Sequence, residues 1–223
     1  MCIGAHPDDV EIGMGAAVAR MVRQGLDVLM VDLTDGEPTP RGTHEIRMAE
    51  ASASARALGV ATRITLPLVN RELADTVEAR RMLAELVREH RPRLLFAPYP
   101  VDAHPDHIAA SAIVEAARFY AKFVKTDMAG SPHFPARVYH YFAVHLRLVA
   151  KPSFVLDVSE DLDAKMTALA CYESQFAAGT ANARTLDWVR GQAASWGALI
   201  GTAGGEPFFG REEIGVRSIT DLV

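Results

Sequence analysis

Cysteine is scarce in this sequence: its 223 residues hold two, Cys2 and Cys171. One falls in an apolar strand-like run and the other in a helical pattern. That spacing offers no disulfide framework, so the expected compartment is a reducing cytoplasm. Basic charge is not in excess either. Lys and Arg number 23 against 28 Asp and Glu, a net charge of −5. The footprint of a nucleic-acid binder is the opposite, so no nucleic acid is expected as a partner. No apolar run approaches the roughly 20 residues of a membrane helix, and no membrane partner is expected. No charged segment precedes an apolar one, so a signal peptide is not expected. Repeats, low-complexity tracts and linkers are missing. Gly4, Gly13 and Gly15 do not follow the G-x-G-x-x-G order of a dinucleotide loop. His6 and two carboxylates stand where a pyrophosphate would lie, which disfavours a nucleotide cofactor.

What is present is ordinary globular usage, 49% hydrophobic and 23% charged, in a length that fits one α/β domain with a sizeable core. Apolar runs alternate with helical patterns. Strands are predicted at 1–5, 27–33, 63–66 and 93–97. Helices are predicted at 11–24, 43–58, 76–90 and 108–120, with Thr43 a candidate N-cap and Gly25 and Gly59 as stops. This β-α alternation predicts a three-layer, Rossmann-like, mostly parallel sheet with helices on both faces. Residues 1–125 form that core. Residues 126–223 read as a C-terminal elaboration of the same domain. It has strands at 137–144 and 153–158, helices at 161–176 and 186–200, a flexible Gly-rich stretch at 201–210, and an unpatterned tail from Ile214.

In an open parallel sheet, ligands bind beyond the carboxyl ends of the strands. Two polar clusters fall there. His6-Pro7-Asp8-Asp9 follows the first strand, with Glu11 just after. Asp102-Ala103-His104-Pro105-Asp106-His107 follows the fourth. Either loop alone would be an N-cap and a structural histidine. Together they bring imidazoles and carboxylates to one edge, and burying such a cluster without a metal would be costly. Nitrogen and carboxylate oxygen suit zinc, although Fe2+ or another divalent ion accepts the same donors. His6, Asp9 and His107 can supply two imidazoles and one carboxylate. Asp8 and His104 are then free for acid–base work beside water made acidic by the metal. Pro7 and Pro105 hold the preceding histidines extended, in line with their strands.

These two motifs resemble those of the LmbE-like, or N-acetylglucosaminylphosphatidylinositol deacetylase, superfamily. The first is Gly4-Ala5-His6-Pro7-Asp8-Asp9-Val10-Glu11-Ile12-Gly13, and the second is His104-Pro105-Asp106-His107. Within it the chain is similar to the bacillithiol-pathway enzymes that deacetylate N-acetylglucosaminyl malate. The stretches Asp32-Leu33-Thr34, Glu45-Ile46-Arg47, Phe96-Ala97-Pro98-Tyr99 and Tyr172-Glu173-Ser174-Gln175-Phe176 carry that likeness. The resemblance implies a zinc held by His6, Asp9 and His107. It makes Asp8 the general base and has His104 stabilise the oxyanion and assist the leaving amine. It implies that Asp106 orients His104 and raises its pKa, and that Arg47 anchors the sugar. The implied substrate is a small N-acetylated sugar, and the implied assembly is a homo-oligomer, possibly a hexamer. Related enzymes carry Arg where Ala103 stands, and an aromatic and an Arg near Thr185 and Gln192. An anionic aglycone such as malate favours a local arginine, for which Arg147, Arg184 and Arg190 are candidates.

Other features read more plainly. Arg47 could simply pair with Glu50 on an exposed face. Glu11 suits the start of a helix dipole. Trp188 and Trp196 are expected in the core or an interface rather than as a sugar platform, and Cys171 in the core. His140 fits packing as well as a pocket, and His145 could reach the site from the elaboration. The competing functions are a deacetylase or amidase of another N-acyl sugar or thiol conjugate, a non-catalytic zinc-binding protein, and a plain nucleotide binder. The free acid–base pair Asp8 and His104 speaks against the second.

Overall fold

Strand β1 (Cys2–Gly4) is buried on both faces, as the central strand of a parallel sheet must be. In a computed structural model, which describes residues 1–143, 145, 150–177, 179–218 and 220, β1 lies between β2 (Leu29–Thr34) and β4 (Leu94–Pro98). Beyond β2 lies β3 (Thr62–Leu68), and beyond β4 lies β5 (Arg137–Tyr141). All five run parallel. The chain winds outward from β1 to β3, then crosses back to β4 and winds the other way. Between β1 and β4 the strand order reverses, which opens a crevice at their carboxyl ends.

Side chains alternate across the sheet. Ile3, Val31, Leu95 and Ala97 face one layer, with Leu83 and Val87 of α3 (Val77–His90) and Ile113 and Val114 of α4 (Pro105–Tyr120). Cys2, Met30 and Phe96 face the other, with Val10, Met14 and Val18 of α1 (Asp9–Arg23) and Ala55 of α2 (His44–Ala57). The expected three-layer, Rossmann-like fold is therefore present. Thr43 caps α2 as predicted, its hydroxyl accepting from the Ile46 N–H, and Gly25 and Gly59 leave their helices at φ 79° and 75°.

The C-terminal part departs from the sequence reading in three places. The stretch expected to be flexible contains β7 (Gly205–Phe209), an interior strand antiparallel to both β5 and β6 (Phe154–Asp157). The helix expected at 161–176 is broken into α5 (Leu162–Ala170) and the single turn α6 (Glu173–Phe176), because Tyr172 leaves helical geometry to bury its ring. The strand expected to reach Val144 ends at Tyr141, and Val144 lies outside the described residues. Helix α7 (Thr185–Leu199) closes this part. Its partner elements continue the same sheet, and Tyr141, Ala168 and Phe208 share the core of α1. Cys171 is half-buried rather than in the core, and both cysteines are free. No helix among the described residues is long and apolar enough to cross a membrane.

Helix α1 is broken at Met14, at φ −149° and ψ 24°. The break frees the Ala16 and Ala17 N–H groups, and the Glu206 carboxylate accepts both at 3.2 and 2.7 Å. Lys165 of α5 donates to the same carboxylate at 2.6 Å, so β7 and α5 are tied into α1 by a buried ion pair. At Gly13 a Cβ would strike the Tyr141 ring at 2.1 Å, which is why glycine stands just before the break.

Candidate active site

The crevice between β1 and β4 holds the two polar loops. The first leaves β1 through Ala5 and Pro7 and enters α1 at Asp9. Asp8 sits at φ 106°, a left-handed conformation that Asp tolerates better than most residues. The turn aims the Asp9 carboxylate back at the loop, where Oδ2 accepts from the His6 N–H at 2.9 Å. The second loop leaves β4 and enters α4 at Pro105, the position that suits proline.

His6, Asp9 and His107 each place one donor atom within 4.8 Å of the others, and all three are buried. Asp9 Oδ1 lies 3.1 Å from His107 Nε2, and Asp9 Oδ2 lies 3.5 Å from His6 Nδ1. The flanking imidazoles hold the Asp9 carboxyl far below its usual range, against the penalty of burial. Both imidazoles respond in kind. Despite burial, hydrogen bonds to Asp106 and Asp9 push His6 up to about 9. The Asp9 charge and the Asp102 hydrogen bond push His107 up to about 10, again against burial. His107 Nε2 is buried, and its contact is the Asp9 carboxylate. Two imidazoles and a carboxylate converging at this spacing in a buried site fit a metal ion. His6, His104 and Asp106 form a second set of donors at similar spacing, sharing His6 with the first.

Asp8 faces the same space. Burial, with Asp9 and Glu11 nearby, raises its carboxyl to about 7 even though the Arg47 guanidinium opposes the shift. Arg47 is itself buried, donating through Nη2 to the Pro7 carbonyl and to Asp8 Oδ2 at 2.6 and 3.0 Å. The exposed pairing with Glu50 is absent, and Glu50 instead accepts from Ser174. Arg47 Nε and Nη1 are buried without partners among the described residues.

His104 caps α4. Its Nδ1 accepts from the Asp106 N–H at 3.2 Å, so in the neutral ring the proton sits on Nε2. Burial and the neighbouring His6 and His107 lower its pKa, outweighing the opposing pull of Asp106. The Asp106 carboxylate contacts His6 rather than the His104 ring: Oδ2 lies 3.1 Å from His6 Nε2 and accepts from the Arg71 N–H at 2.7 Å.

The sequence from Met1 to residue 118 matches the family described as PIG-L, GlcNAc-PI de-N-acetylase. The chain belongs to this family. A diacetylchitobiose deacetylase of Thermococcus kodakarensis is 32% identical over 79% of this chain and 69% of its own length. A 1D-myo-inositol 2-acetamido-2-deoxy-alpha-D-glucopyranoside deacetylase of Catenulispora acidiphila is 28% identical over 78% of this chain and 79% of its own. Among solved structures, an N,N'-diacetylchitobiose deacetylase of Pyrococcus horikoshii superposes with a TM-score of 0.83. It is 27% identical and covers all of this chain and 87% of its own. This PIG-L member is accordingly a hydrolase, a deacetylase of the N-acetylglucosamine type.

Other residues of this PIG-L site were less visible in the sequence. Asp102 Oδ2 lies 2.6 Å from His107 Nδ1, while its Oδ1 accepts from the Ala103 and His145 N–H groups. That is the carboxylate–histidine pair which orients a metal-ligating ring. The signal was available: Asp102 stands five residues before His107, in the loop that follows β4. Glu11 is more than a dipole complement. Its Oε1 accepts from Arg63, Ser54 and Tyr172, each at 2.7 Å, tying α1 to α2, β3 and the C-terminal part. His140 is packing, buried between Glu115, Ser111 and the Pro98 carbonyl. His145 does reach the site, its ring 5.4 Å from His104 and 5.3 Å from His107.

The cleft above the metal-type cluster has a volume of about 800 Å3. Trp188 and Trp196 line it, with Thr185 and Gln192 of the same helix, so neither lies in the core. Trp188 is 44% exposed. Helix α7 is thus one wall of the cleft, because β7 inside the sheet carries it there. Among the described residues, neither Arg184 nor Arg190 lines the cleft, and Arg147 lies outside them.

Proposed function

We propose that the protein hydrolyses the acetamide of a small N-acetylglucosaminyl glycoside, releasing acetate and the free amino sugar. The observation that carries this is the buried convergence of the His6, Asp9 and His107 donor atoms, beside a carboxyl raised to about 7. His6, Asp9 and His107 would hold the metal, zinc by donor type, with Fe2+ the alternative. Such an ion supplies Lewis acidity, polarising the acetyl carbonyl and acidifying water at neutral pH.

The protein's own groups do the rest. Asp8 takes the proton from the attacking water, and a base works best with a pKa near the working pH. Arg47, which lines the cleft, aims and restrains Asp8 and would anchor the sugar beside it. His104 carries its proton on Nε2, from which it can donate a hydrogen bond to the developing oxyanion, while the proton taken up by Asp8 passes on to the leaving amine. Asp106 and Asp102 position His6 and His107.

For the glycoside we propose N-acetylglucosaminyl malate, the bacillithiol precursor, on the sequence resemblance described above. Diacetylchitobiose and the inositol glycoside, which the relatives act on by name, are the competing substrates. The test is acetate release from all three by zinc-loaded protein and its Asp8→Ala variant. Turnover of the malate compound above the others, lost in the variant while metal stays bound, is expected. Higher turnover of either competitor reassigns the substrate. No turnover of any, with metal bound, overturns the deacetylase reading in favour of a non-catalytic metal-binding protein.

A further inference from the structure

Two arginines face the cleft, and they differ in what they are paired with. Arg47 is buried against Asp8 and the Pro7 carbonyl. Arg71 is exposed, and Nη2 donates to the Pro38 carbonyl at 2.7 Å. Among the described residues no carboxylate pairs with its guanidinium. The other ammonium in the cleft wall, Lys165, is already neutralised by Glu206. Arg71 is therefore the one guanidinium or ammonium of this wall left without an anionic partner among the described residues.

Its place is well defined. The Arg71 N–H donates to Asp106 Oδ2 at 2.7 Å, and that oxygen lies 3.1 Å from His6 Nε2. One hydrogen bond thus separates the Arg71 backbone from a carboxylate that touches the metal-type cluster. The preceding Asn70 is tied to the Gly36 carbonyl at 2.8 Å, so the turn is held from both sides. Arg71 adopts φ 69°, the left-handed region where glycine would sit without strain. The backbone job at this position needs only an N–H. A long cationic side chain there is an addition that the turn does not require.

We infer that Arg71 forms an anion-binding subsite at the mouth of the cleft, taking a carboxylate or phosphate carried by the substrate beside its acetamide. A guanidinium fork suits either group, and the pairing is charge-assisted. This rests on the deacetylase reading above. It supplies the local arginine that an anionic aglycone would favour, from a loop rather than from the C-terminal part.

The experiment compares kcat/KM for acetate release from three sugars with zinc-loaded protein. They are methyl N-acetylglucosaminide, which is neutral, N-acetylglucosaminyl malate, and N-acetylglucosamine 6-phosphate. The variants are Arg71→Gly, which relaxes the left-handed turn, and Arg71→Gln, which keeps side-chain length. Wild type is expected to prefer at least one anionic sugar over the neutral one. Both variants should cut that preference about tenfold, through KM of the anionic sugar. Which sugar responds tells a carboxylate on the aglycone from a phosphate on the sugar. A wild type with no charge preference, or a preference untouched by both variants, overturns the arginine subsite while leaving deacetylation intact. No turnover of any sugar by metal-loaded wild type overturns the deacetylase reading instead.

Discussion

The two loops of the site carry the same His-Pro-Asp and use it in different ways. In the first, Asp8 adopts φ 106°, and α1 begins with no side-chain cap. In the second, His104 stays extended and caps α4 with its ring. His6 lies buried between Asp9 and Asp106, which raise it to about 9, whereas His104 is only half-buried and shifted down. The first aspartate faces the cleft and is held by Arg47. The second is committed to His6 and a backbone N–H. A shared motif therefore names the chemistry of the site without assigning roles within it. Which carboxylates stand beside each ring does that.

The sharpest way to break the comparison is to remove the same carboxylate charge from each loop. Asp8→Asn keeps a side chain that tolerates the left-handed turn, so the fold should hold. Turnover should fall by about 10²–10⁴-fold, the usual worth of a general base, with metal content unchanged. Asp106→Asn should instead loosen His6 and show itself first as metal lost on dialysis. Equal kinetic defects with metal retained in both variants would mean that the loops are equivalent after all.

A smaller effect concerns the carboxylates that support the rings. Asp102→Asn removes the acceptor that fixes His107 Nδ1. Metal affinity should drop by roughly 10–100-fold, measured by competition with a chelating dye. Unchanged affinity would make the Asp102 contact purely structural.

Proton release sharpens the same contrast. In metal-free protein, against the effect of burial, the neighbouring carboxylates push His6 up to about 9 and His107 up to about 10, above the 6.5 of a free imidazole. The sign follows. Below those values both rings hold protons that a metal must displace, so affinity should climb as pH rises toward about 10 and then level off. The stability that the ion pairs with Asp9 give the metal-free protein runs the other way. It is fully present below pH 6.5 and fades as pH rises through about 9 for His6 and about 10 for His107. Titration calorimetry at pH 7.5 in buffers of different ionisation enthalpy should report proton release on zinc binding. Release of none would refute the raised imidazoles.

Much of this arrangement was legible from residues alone, but unevenly. Strands β1, β2 and β4 are apolar runs buried on both faces, and their alternation with capped helices leaves few other folds. The two polar loops then fall at the sheet edge by topology. Strand β7 was hidden because its residues carry other duties. Gly205 lets the backbone approach α7, where a Cβ would meet Gly197 N at 2.8 Å, and Glu206 caps the break in α1. Gly-Glu-Pro reads as a turn by local propensity, and tertiary contacts override it. Missing β7 also misplaced Trp188 and Trp196, since nothing else in the sequence brings α7 to the cleft. Arg47 looked like an exposed helix residue because its partner Asp8 is distant in sequence and close in space.

The smallest predicted effect separates the two jobs of His104. As the cap of α4 it satisfies one backbone N–H, and an asparagine at an N-cap does this at least as well. In its proposed role as Nε2 donor to the oxyanion it reaches further than the shorter asparagine amide. His104→Asn should therefore lose turnover yet unfold at a denaturant concentration equal to or above wild type. His104→Ala should lose turnover and also about 1 kcal/mol of stability, the usual cost of a lost cap. The first loop has no cap bond to lose, so Asp8→Asn should bring no such cap penalty. Chemical denaturation of the metal-free variants measures all three. If the asparagine and alanine variants of His104 unfold together, the cap contributes nothing, and the second loop owes its shape to Pro105 and the Asp102 contacts alone.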